Sequence, residues 1–208
     1  MKKQMTIEEL EKALGYKVEV VDKQLVALHD VEPGQAFSFC GTEFVALEKT
    51  NVGTYVITKN LVGKSIFDPS RNNYNESTIF GKVKDFEKAF AEQCEKVNIS
   101  YDDISLPRQI SLLSMDGRRQ YGSVGVRAGL LTLRQYQEYV HLLDEYIAND
   151  AWYLSTAVST EENRCHELVC AVNKSNYVDV VNIRTTYGIR PVLVLKDDIV
   201  VDVVKKII

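Results

Sequence analysis

Apolar residues first recur at helical spacing, as Ile7, Leu10 and Leu14. Thr6 and Glu9 form a capping box in front of them, and Gly15 suits the left-handed position that ends a helix. The stripe predicts a short helix over 7–14. From residue 16 the period falls to two. Lys17-Val18-Glu19-Val20-Val21 alternates and Glu32-Pro33-Gly34-Gln35 turns. Ala36-Phe37-Ser38-Phe39, Glu43-Phe44-Val45-Ala46-Leu47 and Thr54-Tyr55-Val56-Ile57-Thr58 then read as short strands of an antiparallel sheet. After a loop at 66–75, Ile79, Val83, Phe86 and Phe90 return to helical spacing and predict a helix over 77–93.

The second half repeats these textures. Residues 94–106 are irregular, and Ile110-Ser111-Leu112-Leu113 is a short apolar strand. Residues 115–129 hold four glycines and three arginines with no amphipathic period. That predicts a long surface loop, the kind of segment in which function tends to reside. Thr132 caps a helix whose apolar face is Leu133, Tyr136, Val140, Leu143 and Ile147. Then come Trp152-Tyr153-Leu154, a hairpin from 167 to 181 turning at Asn173-Lys174-Ser175-Asn176, the run Ile189–Leu195, and a closing strand over 199–208.

Length and charge narrow the classes. The 208 residues are 45% hydrophobic and 26% charged, which excludes disorder, collagen and coiled coil. The net charge of −4 opposes a duplex-coating protein, so a nucleic-acid role would need a local basic patch. No apolar core follows the charged start, and no run is long enough to span a membrane, so neither a secretory signal nor a membrane anchor is expected. Cys40, Cys94, Cys165 and Cys170 lack Cys-x-x-Cys spacing and are expected as reduced thiols.

Catalytic motifs are broken or missing. Gly63-Lys64-Ser65 ends like a P-loop, but Thr58 stands where its first glycine belongs. Gly-x-Gly-x-x-Gly and Gly-x-Ser-x-Gly are absent. His29, His141 and His166 have no nucleophile at recognisable spacing. Cys165-His166-x-x-x-Cys170 reads as a strand, which sets His166 and Cys170 about 13 Å apart at ~3.3 Å per residue, too far to share an ion. The polar feature that stands out is Arg118, Arg119 and Arg127 around Tyr121. Guanidinium forks suit phosphate or a carboxylate-rich partner, and the plainer reading is a solvated loop.

The last third carries a recognisable signature. Ala151-Trp152-Tyr153-Leu154-Ser155-Thr156, a hairpin, and Tyr187-Gly188-Ile189-Arg190-Pro191-Val192-Leu193-Val194-Leu195 resemble a family of bacterial and phage domains of unassigned function. That family has a W-W-L-R-S element and a closing G-V-R-P-A-L strand. Gly41–Leu47, Asn75–Ile79 and Ile110–Ser114 are similar to further family elements in the same order, so the resemblance spans roughly residues 36–200. Ser155 departs from the family's usual arginine. The family is related to the C-type-lectin-like fold, also used by formylglycine-generating enzymes, but neither the lectins' calcium signatures nor the enzymes' cysteine pair maps onto this chain. The resemblance implies a core role for Trp152, a close backbone approach at Gly188, and a structural role for Arg190 beside Pro191.

The expected fold is therefore α+β and C-type-lectin-like: a twisted antiparallel sheet with two main helices and long loops, plus the short N-terminal helix. Residues 1–34 are expected as an appendage of helix and strand, and 35–208 as the lectin-like domain. The expected function is a non-enzymatic recognition module of bacterial or phage origin, cytoplasmic or virion-associated, without cofactor or metal. It would bind a protein partner, or a glycan, through Arg118, Arg119, Tyr121, Arg127 and Arg71. Alternatives are a mobile-element inhibitor of a host defence protein, a nucleic-acid binder using the arginine loop, and a hydrolase with a site dispersed along the chain.

Overall fold

The computed structural model describes residues 21–206, apart from 147–149 and 164. The helix expected over 7–14, the first part of the strand expected from residue 17, and Ile147 lie outside these. The described chain is α+β. Its large sheet runs β1 (Val21–Ala27), β15 (Val200–Lys206), β2 (Ala36–Phe39), β3 (Thr42–Lys49), β4 (Thr54–Thr58), β14 (Val192–Leu195), all antiparallel. Two short strands, β6 (Ser105–Leu106) and β9 (Ala128–Gly129), share the outer edge of β14. A second sheet runs β12 (Val178–Asn182), β11 (Leu168–Val172), β10 (Trp152–Ala157), β13 (Thr186–Ile189), β5 (Gly63–Ile66). Its one parallel contact joins Trp152 to Gly188.

The boundary expected after residue 34 is crossed by backbone hydrogen bonds. Leu28 N donates to Ile199 O at 2.8 Å and Gly34 N to Ala46 O at 2.8 Å, and Leu28 and Val31 are fully buried. Residues 21–34 are thus woven into the large sheet.

Strands that read as unbroken apolar runs are buried on both faces. In β3, Phe44 and Ala46 enter one apolar cluster, and Val45 and Leu47 the other. The long helix α1 (Thr78–Lys96) covers the first cluster. Ser77 caps it, accepting from Phe80 N at 3.2 Å. Phe90 meets Phe44, Phe39 and Tyr101 edge-on, at 5.5, 6.4 and 5.9 Å between centroids, contacts worth about 0.5–1.5 kcal/mol each beyond area burial. A helical turn, α2 (Tyr101–Ile104), follows. The second cluster lies under α3 (Leu133–Tyr139), whose Tyr136 meets Trp152 at 5.7 Å. The helix expected from Thr132 onward is α-helical only to Tyr139 and continues as 3-10 turns.

Two of the places where the chain passes between the sheets are adjacent. β4 leads to β5, and β13 leads to β14 through Arg190-Pro191. Arg190 is fully buried there. Its Nε donates to Thr58 O at 2.8 Å and its Nη2 to Lys59 O at 3.1 Å, while the guanidinium lies 5.5 Å from the Trp152 ring centroid. Burial pulls its pKa down to about 10, with Tyr136 opposing the shift.

The 115–129 segment departs from its expected loop form. β7 (Arg108–Ser111) pairs with β8 (Ser123–Val126) as a separate hairpin. Val124 and Val126 point inward and Ser123 and Gly125 outward, a period of two that the glycines disguise.

Glycine substitutions separate close packing from open space. A Cβ on Gly188 would lie 2.5 Å from Leu61 Cδ1 and 3.0 Å from Ala151 O, whereas nothing lies within 4 Å of one on Gly81. Gly188→Ala will lower unfolding free energy by about 1–3 kcal/mol. Gly81→Ala, at the fourth residue of α1, will raise it by about 0.5–1 kcal/mol. Urea midpoints measure both.

Candidate functional site

The β7–β8 hairpin leaves the large sheet between β6 and β9, so both its strands spring from the outer edge of β14. Ile110, Leu112, Val124 and Val126 seat its inner face in the core. Its tip, residues 112–122, is tied down rather than free. Met115 N donates to Ala157 O at 2.8 Å and Asp116 N to Val158 O at 3.2 Å.

Asp116 is the centre of that attachment. Its carboxylate accepts from Ser114 Oγ at 2.6 Å, from Ser159 Oγ at 2.6 Å and from Arg118 Nε at 3.2 Å. Those bonds, the two hydroxyls first, hold the carboxyl at about 2, below the usual carboxylate range. Asn72 is the second anchor and is fully buried. Its Nδ2 donates to Ser159 O at 2.8 Å and Leu168 O at 3.0 Å, and its Oδ1 accepts from Tyr121 OH at 2.7 Å. Asp68 fixes the 66–75 loop to the start of α1 by accepting from Ser70 N, Arg71 N and Thr78 N. Burial pushes the Asp68 carboxyl up, but these bonds outweigh it and leave it below the ordinary value.

The five residues expected to bind a partner do not act as one group. Arg118, Tyr121 and Arg71 gather where the hairpin tip meets the loops at 68–75 and 159–166. Arg118 faces Asp116 and Glu162, its Nη1 3.5 Å from Glu162 Oε2. Arg71 is 2.7 Å from Glu76 Oε2. Tyr121 is spent on Asn72. Arg127 lies at the other end of the hairpin, donating to Ser105 O and pairing with Asp102 at 3.3 Å. Arg119 is exposed and has no ion pair among the described residues.

Two hollows meet at Leu113. One, about 270 Å³, runs between the tip and α3 and is lined by residues including Ser111, Leu113, Met115, Leu133, Arg134 and Gln137. The other, about 410 Å³, is lined by Ser111, Leu113, Arg119, Gly122 and Ser123. Leu113 is 43% and Met115 47% exposed, so the rim of this double hollow is apolar with Arg119 and Arg134 beside it. A third hollow, also about 410 Å³, is lined by the polar residues Ser70, Arg71, Glu76, Glu161 and His166.

Sequence reasoning passed over Asp116, Asn72, Leu113 and Met115. Asp116-Gly117 is visible as a turn pair, but Ser159, which gives the carboxylate its role, lies 43 positions away. The strand expected at Cys165-His166 is instead a run of turns: His166 N donates to Asn163 O at 3.2 Å and Leu168 N to Cys165 O at 3.1 Å, and β11 begins only at Leu168. The polar Glu161-Glu162-Asn163 stretch favours that turn chemistry.

Among the described residues no histidine hydrogen-bonds a cysteine, serine or threonine side chain. His166 Nδ1 lies 3.0 Å from Asn163 O, and His29 lies beside Asp30 and Asp197 O. Burial pushes the Cys170 thiol up to about 11. No three His, Cys, Asp or Glu side chains among the described residues are placed to hold an ion. No helix among them is long and apolar enough to cross a membrane. No family model, curated protein or solved structure matches the chain.

Asp116 makes the tip sensitive to acid in a defined direction. Its folded pKa is lowered, so its stabilising bonds are complete above the ordinary carboxylate range and are lost as pH falls towards 2. Asp116→Ala removes them at every pH. Trypsin will cut after Arg118 and Arg119 at least several-fold faster in Asp116→Ala than in the parent at neutral pH, read by mass spectrometry of the first fragments. Equal rates would show that Asp116 does not hold the tip.

Proposed function

We propose that this chain is a non-enzymatic recognition module of lectin-like fold, of bacterial or phage origin, acting in the cytoplasm or on a virion. The tip of the β7–β8 hairpin and the adjoining α3 rim bind a protein partner that presents an acidic and apolar surface. The observation that carries this reading is a division of labour at the tip. Asp116, Asn72 and Tyr121 fix the backbone, while Leu113, Met115 and Arg119 stay exposed. A loop held in place before binding loses little entropy on contact, and apolar and arginine side chains are common anchors at such surfaces.

The site therefore moves from the arginine cluster as a whole to Arg119 with Leu113 and Met115. Arg71, Arg118 and Arg127 already face carboxylates, which weakens the nucleic-acid reading. The lectin-like assignment itself rests on the sequence signature.

The test uses the purified chain as bait in extract of the source cell, with quantitative mass spectrometry. One protein partner will be enriched by the parent and retained by Arg127→Glu. Its recovery will fall at least ten-fold with Leu113→Asp or Arg119→Glu, both checked for parental thermal midpoints. Unchanged capture by those two variants would move the site elsewhere. Enrichment that a free oligosaccharide competes away would make the ligand a glycan.

A further inference from the structure

The β2–β3 turn contains a cysteine at a position that disfavours one. Phe39 pairs with Thr42, so Cys40 and Gly41 are the two turn residues, with φ of +46° and +75°. A two-residue hairpin turn with both φ values positive selects Asn, Asp or Gly at its first position. A cysteine there takes on left-handed strain that those residues largely avoid. Such a cost points to a role for the thiol itself.

The end of α1 supplies the partner. Cys94 is fully buried in the last turn of that helix. Thr42 Oγ1 donates to the neighbouring Gln93 Oε1 at 3.4 Å. Phe39 and Phe90, which flank the two cysteines, meet edge-on at 6.4 Å. Cys40 packs against the same apolar cluster that contains Cys94, and the two thiols are close enough to perturb each other's ionisation. The remaining cysteines are placed differently: Cys165 sits in a turn, and Cys170 Sγ lies 3.9 Å from Met115 Sδ.

We infer that Cys40 and Cys94 form a redox-modification site, a dithiol placed to close into a disulfide that staples the β2–β3 turn to the end of α1. The oxidant is a small-molecule disulfide such as oxidised glutathione. Cys40, the more exposed of the two, attacks it as thiolate, forming a mixed disulfide and releasing one small thiol. Cys94, after losing its proton, attacks Cys40 Sγ and displaces the second small thiol. Two protein sulfurs are oxidised, the small disulfide is reduced, and the two thiol protons end on the two released thiols. Burial raises both protein thiols, Cys94 to about 12. The exchange is therefore slow, and its proper test is equilibrium. The site lies about 24 Å along α1 from the helix start beside the hairpin tip, at 1.5 Å per residue, so it is independent of the proposed recognition surface.

The full chain is equilibrated in glutathione buffers from fully reduced to fully oxidised, quenched by alkylation and mapped by peptide mass spectrometry. The expected product is one intramolecular bond between Cys40 and Cys94, with Cys165 and Cys170 alkylated. The oxidised form will melt higher by on the order of 5 °C. The Cys165→Ser, Cys170→Ser double variant will keep both effects, and Cys40→Ser and Cys94→Ser will each lose them. Cys40→Asn will raise the melting point of the reduced protein, because the turn strain is relieved. The inference is overturned by free or merely glutathionylated Cys40 in fully oxidised buffer, by a bond to another cysteine, by a lower melting point on oxidation, or by a destabilised Cys40→Asn.

Discussion

Where the chain leaves one sheet for the other, the β4–β14 and β5–β13 ladders lapse, and the carbonyls of Thr58 and Lys59 face inward. Arg190 closes that gap. Its planar fork reaches both oxygens at once, which a lysine's single ammonium would do less well. The cost is a buried charge with Nη1 left without a partner, partly offset by the face of Trp152. Trp152 in turn packs against Tyr136 of α3. One guanidinium therefore ties the crossover between the two sheets to the helix that borders the tip hollow.

The same economy governs the hairpin tip. A carboxylate and an amide, each with several hydrogen bonds, hold three separate loops together. Side chains so engaged are withdrawn from recognition, which is why Arg118 and Tyr121 serve the scaffold while their neighbours are left exposed. Arginines beside carboxylates neutralise one another there, and among the described residues Arg119 and Arg134 stand on the rim without ion pairs.

Much of this was legible along the chain because it is local. Ser77 and Thr132 announce helix starts through their own hydroxyls. The runs Phe44–Leu47 and Val192–Leu195 announce buried strands by lacking polar interruptions. Trp152, Gly188 and Arg190 were legible through a signature, and they meet in one place. β8 was hidden because Gly125 removes a side chain from the outward face of an alternating strand. The tip was hidden for a deeper reason: Asp116 and Asn72 bond to Ser159, and no periodicity links residues so far apart. A charge cluster in sequence says nothing about which charges are already neutralised in space.

One consequence follows from the pairing of β1 with β15. Val21 stands opposite Lys206, and Ala27 opposite Val200. Tension applied through both ends of this stretch would reach the first rung alone and open the ladder rung by rung, as a zip parts, instead of shearing all rungs together. β1 and β15 would therefore yield under low force as a mechanical fuse, sparing the Arg190 junction deeper in the fold.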